Sequence, residues 1–203
     1  MPKAKPFLIV GHRGDGAGPD ENTLASCRRA LRHGADAIEL DVQLIGGELM
    51  LAHPPRRPKE SLQAVLNGID RPVVLHLKRR HLNRYHDRKV LGLLQGVTHR
   101  PGITVSSFWP GTLTYAKRHY PNLRTAFITY GAWWDLHFAK RLGVDEFHAW
   151  HGSITPHAIR AARRQRIGLI GLNAPWERRT VIERRGIRGV ITDYVSSYVN
   201  RRS

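Results

Sequence analysis

The sequence GADAIELDVQ at residues 34–43 carries the pattern from which both the fold and the chemistry can be worked out. Its aliphatic run predicts a strand at Ala37–Leu44. In that strand Glu39 and Asp41 are two residues apart, so they point to the same side of the sheet. Two inward-facing carboxylates are costly to bury unless basic side chains or a cation pair with them. Ion pairs with neighbouring arginines and a site for a hard metal such as Ca²⁺ or Mg²⁺ are therefore the two interpretations of this pair.

Outside this stretch, short aliphatic and β-branched runs alternate with helical patterns, which is typical of βα units around a parallel sheet. Eight strands are predicted, at Phe7–Val10, Ala37–Leu44, Val73–Leu77, Ile103–Ser106, Thr125–Ile128, Glu146–Ala149, Gly168–Leu172 and Gly189–Ile191. Helices are predicted at Thr23–His33, between Asn83 and Gln95, and at Gly111–His119, Trp134–Leu142, Pro156–Arg164 and Glu177–Arg184. A short extended excursion at Glu48–Ala52 and a brief helix at Ser61–Leu66 are predicted between strands two and three. Eight strands favour an α/β fold with a single compact (β/α)₈ barrel, a TIM barrel over residues 1–203, rather than a doubly wound open sheet.

Length and composition indicate the number of domains, the location of the protein and the chemistry of its cysteine. The 203 residues, 41% of them hydrophobic, are enough for one core and are at the short end for an eight-stranded barrel. The sequence shows neither a signal-peptide pattern nor an apolar run long enough to cross a bilayer, so a cytoplasmic protein is expected. Cys27 is the only cysteine, which excludes an intrachain disulfide and a thiolate metal cluster and favours a buried structural thiol.

The chain is strongly basic, with 33 Lys and Arg against 16 Asp and Glu, a formal net charge of +17. Such a charge attracts phosphate esters, lipid headgroups and nucleic acids alike. Solvated helix faces are the alternative explanation for the scattered basic clusters. A basic surface without aromatic-rich repeats or a nucleic-acid motif predicts no specific nucleic acid partner.

Polar residues collect where the predicted strands end. Gly11-His12-Arg13-Gly14 directly follows the first strand, and its glycines allow a sharp turn that brings an imidazole and a guanidinium over the barrel mouth. His76 and Lys78 at the third strand repeat the two-residue spacing of Glu39 and Asp41. Because the C-terminal strand ends of such a barrel meet at one mouth, these side chains are predicted to form one site.

The order of these residues resembles the N-terminal signature of the glycerophosphodiester phosphodiesterase family. The resemblance rests on H-R-G at residues 12–14, E-N-T at 21–23, the stretch 34–43 and His53. Weaker similarity continues in V-L-H-L-K at 74–78, S-S-F at 106–108 and I-T-D-Y at 191–194, so it covers nearly the whole chain. The resemblance implies a (β/α)₈ barrel that hydrolyses phosphodiesters with a divalent metal, Ca²⁺ or Mg²⁺.

The resemblance also implies roles for single residues. His12 and His53 correspond to the general acid–base pair and Glu39 and Asp41 to metal ligands. Arg13 corresponds to a phosphate contact, and Lys78 is a further candidate for binding the substrate.

Several positions depart from the family pattern, and those at three places bear on the site. His76 stands where the family has a metal-binding glutamate, and an imidazole beside two carboxylates shifts the preference toward Mn²⁺ or Zn²⁺. Pro54 replaces an acid after His53, and Ile170-Gly171-Leu172-Asn173 lacks the tryptophan of the family's W-T-x-N stretch. Trp150 is the candidate to replace that tryptophan as a substrate-binding residue.

Three functions remain open on the sequence alone. The first is a metal-dependent phosphodiesterase of lipid metabolism, acting on glycerophosphodiesters or related (lyso)phospholipid headgroups. The second is a phospholipase-D-like lyase that releases a cyclic phosphate. The third is a catalytically degenerate barrel that binds phosphate-bearing ligands or an anionic lipid surface without turnover, which the departures at His76 and Pro54 favour.

Overall fold

Eight parallel strands close into a barrel in the computed structural model, which describes residues 7–78, 84–98, 100–131, 135–173 and 187–200. The barrel strands are β1 (Leu8–Gly11), β2 (Ala37–Ile45), β5 (Val73–Leu77), β6 (Ile103–Ser107), β7 (Arg124–Thr129), β8 (Glu146–Trp150), β9 (Gly168–Leu172) and β10 (Gly189–Thr192). The sheet closes because β1 pairs in parallel with both β10 and β2. The predicted (β/α)₈ barrel is confirmed, with strand ends that differ from the prediction by at most one residue.

Helices connect the strands on the outside of the barrel. They are α1 (Leu24–Arg32), α2 (Leu62–Asn67), α3 (Arg84–Thr98), α4 (Pro110–His119), α5 (Asp135–Arg141), α6 (Pro156–Gln165) and α7 (Val195–Val199). Thr23 and Thr155 cap α1 and α6, since their side chains accept hydrogen bonds from the backbone amides of Ser26 and Ala158. The predicted helix at Glu177–Arg184 and the predicted start at Trp134 lie outside the described residues.

Alternate residues of each barrel strand face opposite sides of the sheet. One set packs against the helices, and the other points into the barrel interior. On β2, Ile38 and Leu40 belong to the main core between sheet and helices, which also buries Cys27 on α1 as predicted. The opposite face of the strands carries a small apolar cluster inside the barrel: Val10, Ala37, Val74, Ile170 and Ile191. Glu39 and Asp41 share the inward parity of Ala37 and are buried nearer the mouth.

The predicted excursion between the second and third barrel strands is a β-hairpin. β3 (Glu48–Leu51) pairs antiparallel with β2 and is followed by a two-residue strand, β4 (Glu60–Ser61). Gly46 and Gly47 form the turn with φ of 60° and 92°, the left-handed values that a two-residue hairpin requires. The returning strand brings the chain back to the mouth, where the amide of Ala52 donates to the carbonyl of Asp41 at 3.0 Å.

No helix within the described ranges is at once long enough and apolar enough to span a bilayer.

Candidate active site

Two glycines shape the turn after β1, because a side chain at either position would displace the neighbouring atoms. A Cβ on Gly11 would lie 2.1 Å from the carbonyl oxygen of Gly14. Gly14 has a φ of +95°, and a Cβ there would be 2.4 Å from Ser26 Oγ. Arg13 between them is itself left-handed, with φ 52°. In this conformation its amide donates to Glu39 Oε2 at 3.0 Å, which ties the turn to β2.

Asp41 is the most enclosed acid of the site, and several groups hold it. Arg13 Nε lies 3.0 Å from Asp41 Oδ2. Asn22 Oδ1 accepts the backbone amide of Asp41 at 2.8 Å. Burial favours the neutral acid, but hydrogen bonding to His76 and the charge of Lys78 outweigh it and hold the pKa of Asp41 far below its usual range. Asp41 is therefore ionised at any pH at which the protein works.

Glu39, Asp41 and His76 form a cluster suited to a cation. Each offers one ligand atom, and these atoms lie within 4.8 Å of one another. His76 Nδ1 is 3.5 Å from Glu39 Oε1 and 3.3 Å from Asp41 Oδ1. Asp41 Oδ1 faces His76 from a buried position, and carboxylate oxygens are the ligands that hard divalent cations prefer.

Lys78 contacts one atom of Asp41 and one atom of His76 in this cluster. Its Nζ is 2.8 Å from Asp41 Oδ1 and 2.9 Å from His76 Nδ1. The ammonium thus balances the buried negative charge of Asp41 in this arrangement. A divalent ion on the cluster would compete with Lys78 for the same carboxylate oxygen.

His12 is oriented by a residue from the opposite end of the chain. Its Nδ1 lies 2.7 Å from Asp193 Oδ1, in the loop that follows β10. Because a carboxylate can only accept, Nδ1 carries the proton and Nε2 remains for proton transfer. Burial lowers the pKa of His12, but the hydrogen bond with Asp193 and the charges of Glu39 and Asp193 outweigh it, so that this pKa is raised above 6.5.

His53 lines the same cavity as His12 and follows β3 by two residues. Partial burial is the main cause that lowers its pKa below 6.5, and the nearby charges of Lys78 and Arg13 act in the same direction. The attraction of Asp41 is too weak to reverse the shift. The two histidines therefore have pKa values displaced in opposite directions, the arrangement expected of an acid and a base.

A small cavity of about 80 Å³ joins these groups. It is lined by His12, Arg13, Glu39, His53, His76 and Lys78 on one side and by Ser106, Phe108, Ile128, Tyr130, Leu172, Asn173 and Ile191 on the other. Every predicted site residue except Asp41 and Trp150 lines it, and Asp41 lies directly behind. Trp150 is exposed at the end of β8, where its ring contacts His151 with centroids 5.1 Å apart.

Three residues of the site were not predicted to belong to it. Asp193 orients His12, and Asn22 holds Asp41 by accepting its backbone amide. Glu21 Oε2 accepts from Arg13 NH1 at 3.0 Å, while Arg56 lies 3.2 Å from its other oxygen. The E-N-T and I-T-D motifs contain these positions, so the signal was present in the sequence, but the contacts depend on strand ends that meet only in the closed barrel.

Known proteins resemble this chain in both sequence and fold. The sequence model of the "Glycerophosphoryl diester phosphodiesterase family" matches residues 12–55, the part that carries His12, Glu39, Asp41 and His53. A glycerophosphodiester phosphodiesterase of Caldanaerobacter subterraneus subsp. tengcongensis is 26% identical, with 95% of this chain and 96% of the relative aligned. The chain is therefore similar in sequence to glycerophosphodiester phosphodiesterases over 95% of its length.

Solved structures share the barrel over nearly its full length. A phosphodiesterase of Oleispira antarctica, in complex with the product sn-glycerol-3-phosphate, has a TM-score of 0.82 at 18% identity and covers 96% of each chain. The glycerophosphodiester phosphodiesterase of Thermotoga maritima has a TM-score of 0.79 at 21% identity and covers 97% of this chain and 99% of its own. At identities of 18% and 21%, these matches establish a common fold.

Proposed function

We propose that the protein is a metal-dependent phosphodiester hydrolase that acts on glycerophosphodiesters or related phospholipid headgroups. The observation that carries the proposal is the pair His12 and His53, with pKa values displaced in opposite directions, on one cavity beside a buried cation-binding cluster. Phosphodiesters hydrolyse slowly because their charge repels nucleophiles and their leaving group departs as an alkoxide. A site that neutralises the phosphodiester charge reduces the repulsion of the nucleophile. A site that also transfers two protons activates the nucleophile and protonates the leaving oxygen.

Glu39, Asp41 and His76 would hold the divalent ion. When bound, such an ion neutralises charge on a phosphoryl oxygen and acts as a Lewis acid. Two carboxylates and an imidazole suit Mn²⁺ or Zn²⁺, while Ca²⁺ and Mg²⁺ prefer oxygen donors throughout. We therefore expect His76 to weaken Ca²⁺ binding relative to a glutamate at this position.

Arg13 and Lys78 would bind the phosphate. The guanidinium of Arg13 has donors beyond those that contact Glu21 and Asp41, because it carries five N–H groups. Lys78 lines the cavity, and release from Asp41 by a metal would free its ammonium for the substrate. Both cations then face the anionic phosphodiester.

The proton transfers follow from the two histidines. Neutral His53 takes a proton from the attacking oxygen, which belongs to water or to a neighbouring hydroxyl of the substrate. Protonated His12 gives the proton on Nε2 to the leaving oxygen as its bond to phosphorus breaks, while Asp193 stabilises the ring. Attack by water yields a phosphomonoester and an alcohol directly, and attack by a substrate hydroxyl yields a cyclic phosphate that a second water molecule opens. Trp150, at the rim, would contact the rest of the substrate.

A barrel that binds phosphate-bearing ligands without turnover is the second candidate. The contact of Lys78 with Asp41 and His76 favours it, since an ammonium at these atoms balances the charge without a metal.

The location in the cytoplasm, a role in lipid metabolism and an anionic lipid surface as a partner remain predictions. The basic charge of +17 is compatible with all three.

Turnover of glycerophosphocholine across Ca²⁺, Mg²⁺, Mn²⁺ and Zn²⁺, with a chelator as blank, tests the proposal. His12→Ala and His53→Ala should each lower kcat by at least about 10²-fold, the usual contribution of an acid or base. The matched control is His119→Ala, because His119 stacks on Tyr115 at the C-terminal end of α4, away from the mouth. Phosphorus NMR of the product separates hydrolysis from a lyase that stops at the cyclic phosphate. No turnover with any metal would favour the binding barrel.

A further inference from the structure

A second cavity lies inside the barrel, at the end where the strands begin. Its volume is about 340 Å³, against about 80 Å³ for the cavity of the candidate active site. Sites that enclose a small molecule measure roughly 300–1,000 Å³, so this cavity is large enough to be one. It is lined by residues at or near the starts of all eight barrel strands, among them Ala37, Thr104, Arg124 and His148. We call it the lower cavity.

The lower cavity exists because small residues occupy inward positions near the strand starts. In a (β/α)₈ barrel, layers of mostly branched side chains normally fill the interior. Ala37, Ala126 and Gly168 lie two residues before side chains of β2, β7 and β9 that face the interior, so they face it too. Pro72 and Gly102 line the cavity and are themselves exposed, so it is open to solvent at this end of the barrel.

The deeper walls of the lower cavity are apolar. They include the five members of the small apolar cluster inside the barrel: Val10, Ala37, Val74, Ile170 and Ile191. Each of these side chains is less than one tenth exposed. Binding sites for small molecules combine apolar walls of this kind with a few polar groups that fix the orientation of the ligand. The walls therefore suit a ligand with an apolar body.

His148 supplies a polar group to this cavity. It is only 1% exposed, and its Nε2 lies 3.0 Å from Glu146 Oε2. Because a carboxylate can only accept, Nε2 carries a proton. Arg124 and Arg188 both contact Glu146 Oε1, so the charge of this carboxylate is already balanced and the imidazole has no need of a second proton.

The other nitrogen of the His148 ring is an acceptor with nothing to accept from. In a neutral imidazole that carries its proton on Nε2, Nδ1 presents a lone pair. His148 Nδ1 is buried and has no hydrogen-bond partner among the residues that the structure describes. Buried polar atoms are normally hydrogen-bonded. A ligand in the lower cavity that donates an O–H or N–H to Nδ1 would satisfy this atom.

The charges around the lower cavity favour an uncharged ligand. Arg124 and Arg188 line it, but both already pair with Glu146. A charged group taken from water into the apolar interior would lose its hydration without gaining an unpaired ion of opposite sign. A phosphate ester therefore belongs at the opposite end of the barrel and not here.

We propose that the lower cavity is a second binding site, which takes an uncharged small molecule with an apolar body and one hydroxyl or N–H group that donates to His148 Nδ1. A phenol is the simplest member of this class. The inference does not depend on the proposed phosphodiesterase function, because it concerns the other end of the barrel and a different kind of ligand.

Calorimetry with 4-ethylphenol and 4-ethyltoluene tests the proposal on the full chain. The two compounds differ only in a hydroxyl group against a methyl group of similar size. In His148→Phe, which keeps a ring but has no acceptor, the Kd of 4-ethylphenol relative to that of 4-ethyltoluene should rise at least about 10-fold, since a buried hydroxyl without a partner costs affinity of this order. His119→Phe makes the same exchange on the outside of the barrel, at α4, and should leave the ratio unchanged. An unchanged ratio in His148→Phe, or no saturable binding of 4-ethylphenol to the unsubstituted protein, would overturn the inference.

Nitrogen NMR of the unsubstituted protein tests the same contact without a substitution in the cluster. The Nδ1 resonance of His148 should show an unprotonated nitrogen, and it should shift with 4-ethylphenol far more than with 4-ethyltoluene. A proton found on Nδ1, or equal shifts with both compounds, would contradict the proposed acceptor.

A substitution that fills the cavity locates the compounds. Ala37→Leu places a branched side chain at an inward position of the lower cavity and should weaken the binding of both compounds at least about 10-fold, because a close-packed interior tolerates little overlap. Undiminished binding in this variant would place the compounds elsewhere on the protein and overturn the inference. None of these measurements uses turnover, so the outcome is independent of the proposed function.

Discussion

At the scale of single residues, Asp193 helps to shift the pKa of His12 in the direction opposite to that of His53. Its carboxylate lies 2.7 Å from His12 Nδ1 and helps to raise the pKa of that ring against the effect of burial. Among the described residues no carboxylate forms an ion pair with His53, and burial lowers the pKa of His53. Burial opposes the charge of Asp193, but the contact with His12 outweighs it and lowers the pKa of Asp193.

Asp193→Asn should therefore change the pH dependence of the reaction. In the unsubstituted protein kcat/KM should rise as His53 loses its proton, below pH 6.5, and fall as His12 loses its proton, above pH 6.5. Without the carboxylate, burial lowers the pKa of His12, so the alkaline limb should move to lower pH and the maximal rate should drop by about 10²-fold. Asp193→Glu keeps a carboxylate and should retain part of the alkaline limb. A drop in rate with the alkaline limb unmoved would show that Asp193 does not tune His12.

His76 is the residue whose replacement should change the choice of metal. His76→Glu adds a hard anionic ligand beside Glu39 and Asp41, and so should strengthen Ca²⁺ and Mg²⁺ binding relative to Mn²⁺. Calorimetry of both proteins with the three metals measures the change. Equal affinities for every metal in the two proteins would mean that His76 is no ligand.

At the scale of elements, the turn after β1 and the β2–β3 hairpin deliver the two histidines to the same cavity. The turn depends on Gly11 and Gly14, and the hairpin on Gly46 and Gly47. The hairpin pairs with the part of β2 that extends beyond the barrel, so Asp41 and His53 become neighbours although twelve positions separate them in the sequence.

Gly14→Ala should disrupt this turn. The substitution puts a Cβ 2.4 Å from Ser26 Oγ at a φ of +95°, and such backbone strain costs about 1–3 kcal/mol. The free energy of unfolding in urea should fall by this amount, and activity should fall with it because His12 and Arg13 lie inside the turn. Gly18→Ala in the same loop is the control, since the nearest atom to its Cβ would be 3.9 Å away. Equal stability of the two variants would contradict the steric account of the turn.

At the scale of the whole molecule, the end of the barrel opposite the candidate active site carries a charge cluster around the buried Glu146. Glu146 Oε1 contacts Arg124 at 2.9 Å and Arg188 at 3.0 Å, and Glu146 Oε2 contacts His148 Nε2 at 3.0 Å. These residues join β7, β8 and the residues before β10 across the barrel. Burial opposes the charge of Glu146, but His148 and Arg188 lower its pKa to about 2.

Acid should therefore weaken the barrel through Glu146. The pKa of this residue is about 2 in the folded chain against 4.5 ordinarily, so its contribution is fully present above pH 4.5 and is lost as the pH falls toward 2. The shift corresponds to about 3 kcal/mol. Urea unfolding as a function of pH should show that Glu146→Gln is less stable than the unsubstituted protein at neutral pH. The gap should narrow below pH 4.5. A gap that stays constant across that range would mean that the charge of Glu146 does not stabilise the fold.

The sequence by itself determined the barrel, because strand and helix periodicities are local and repeat eight times along the chain. It also determined that Glu39 and Asp41 face the same way, and the family motifs marked His12, His53 and Arg13. Local order could not decide which partners these residues meet. Asp193 lies 181 positions from His12 and reaches it only because β10 pairs with β1. The contact of Lys78 with Asp41 likewise depends on the pairing of β5 with β2, and only the tertiary structure decided which strands became neighbours.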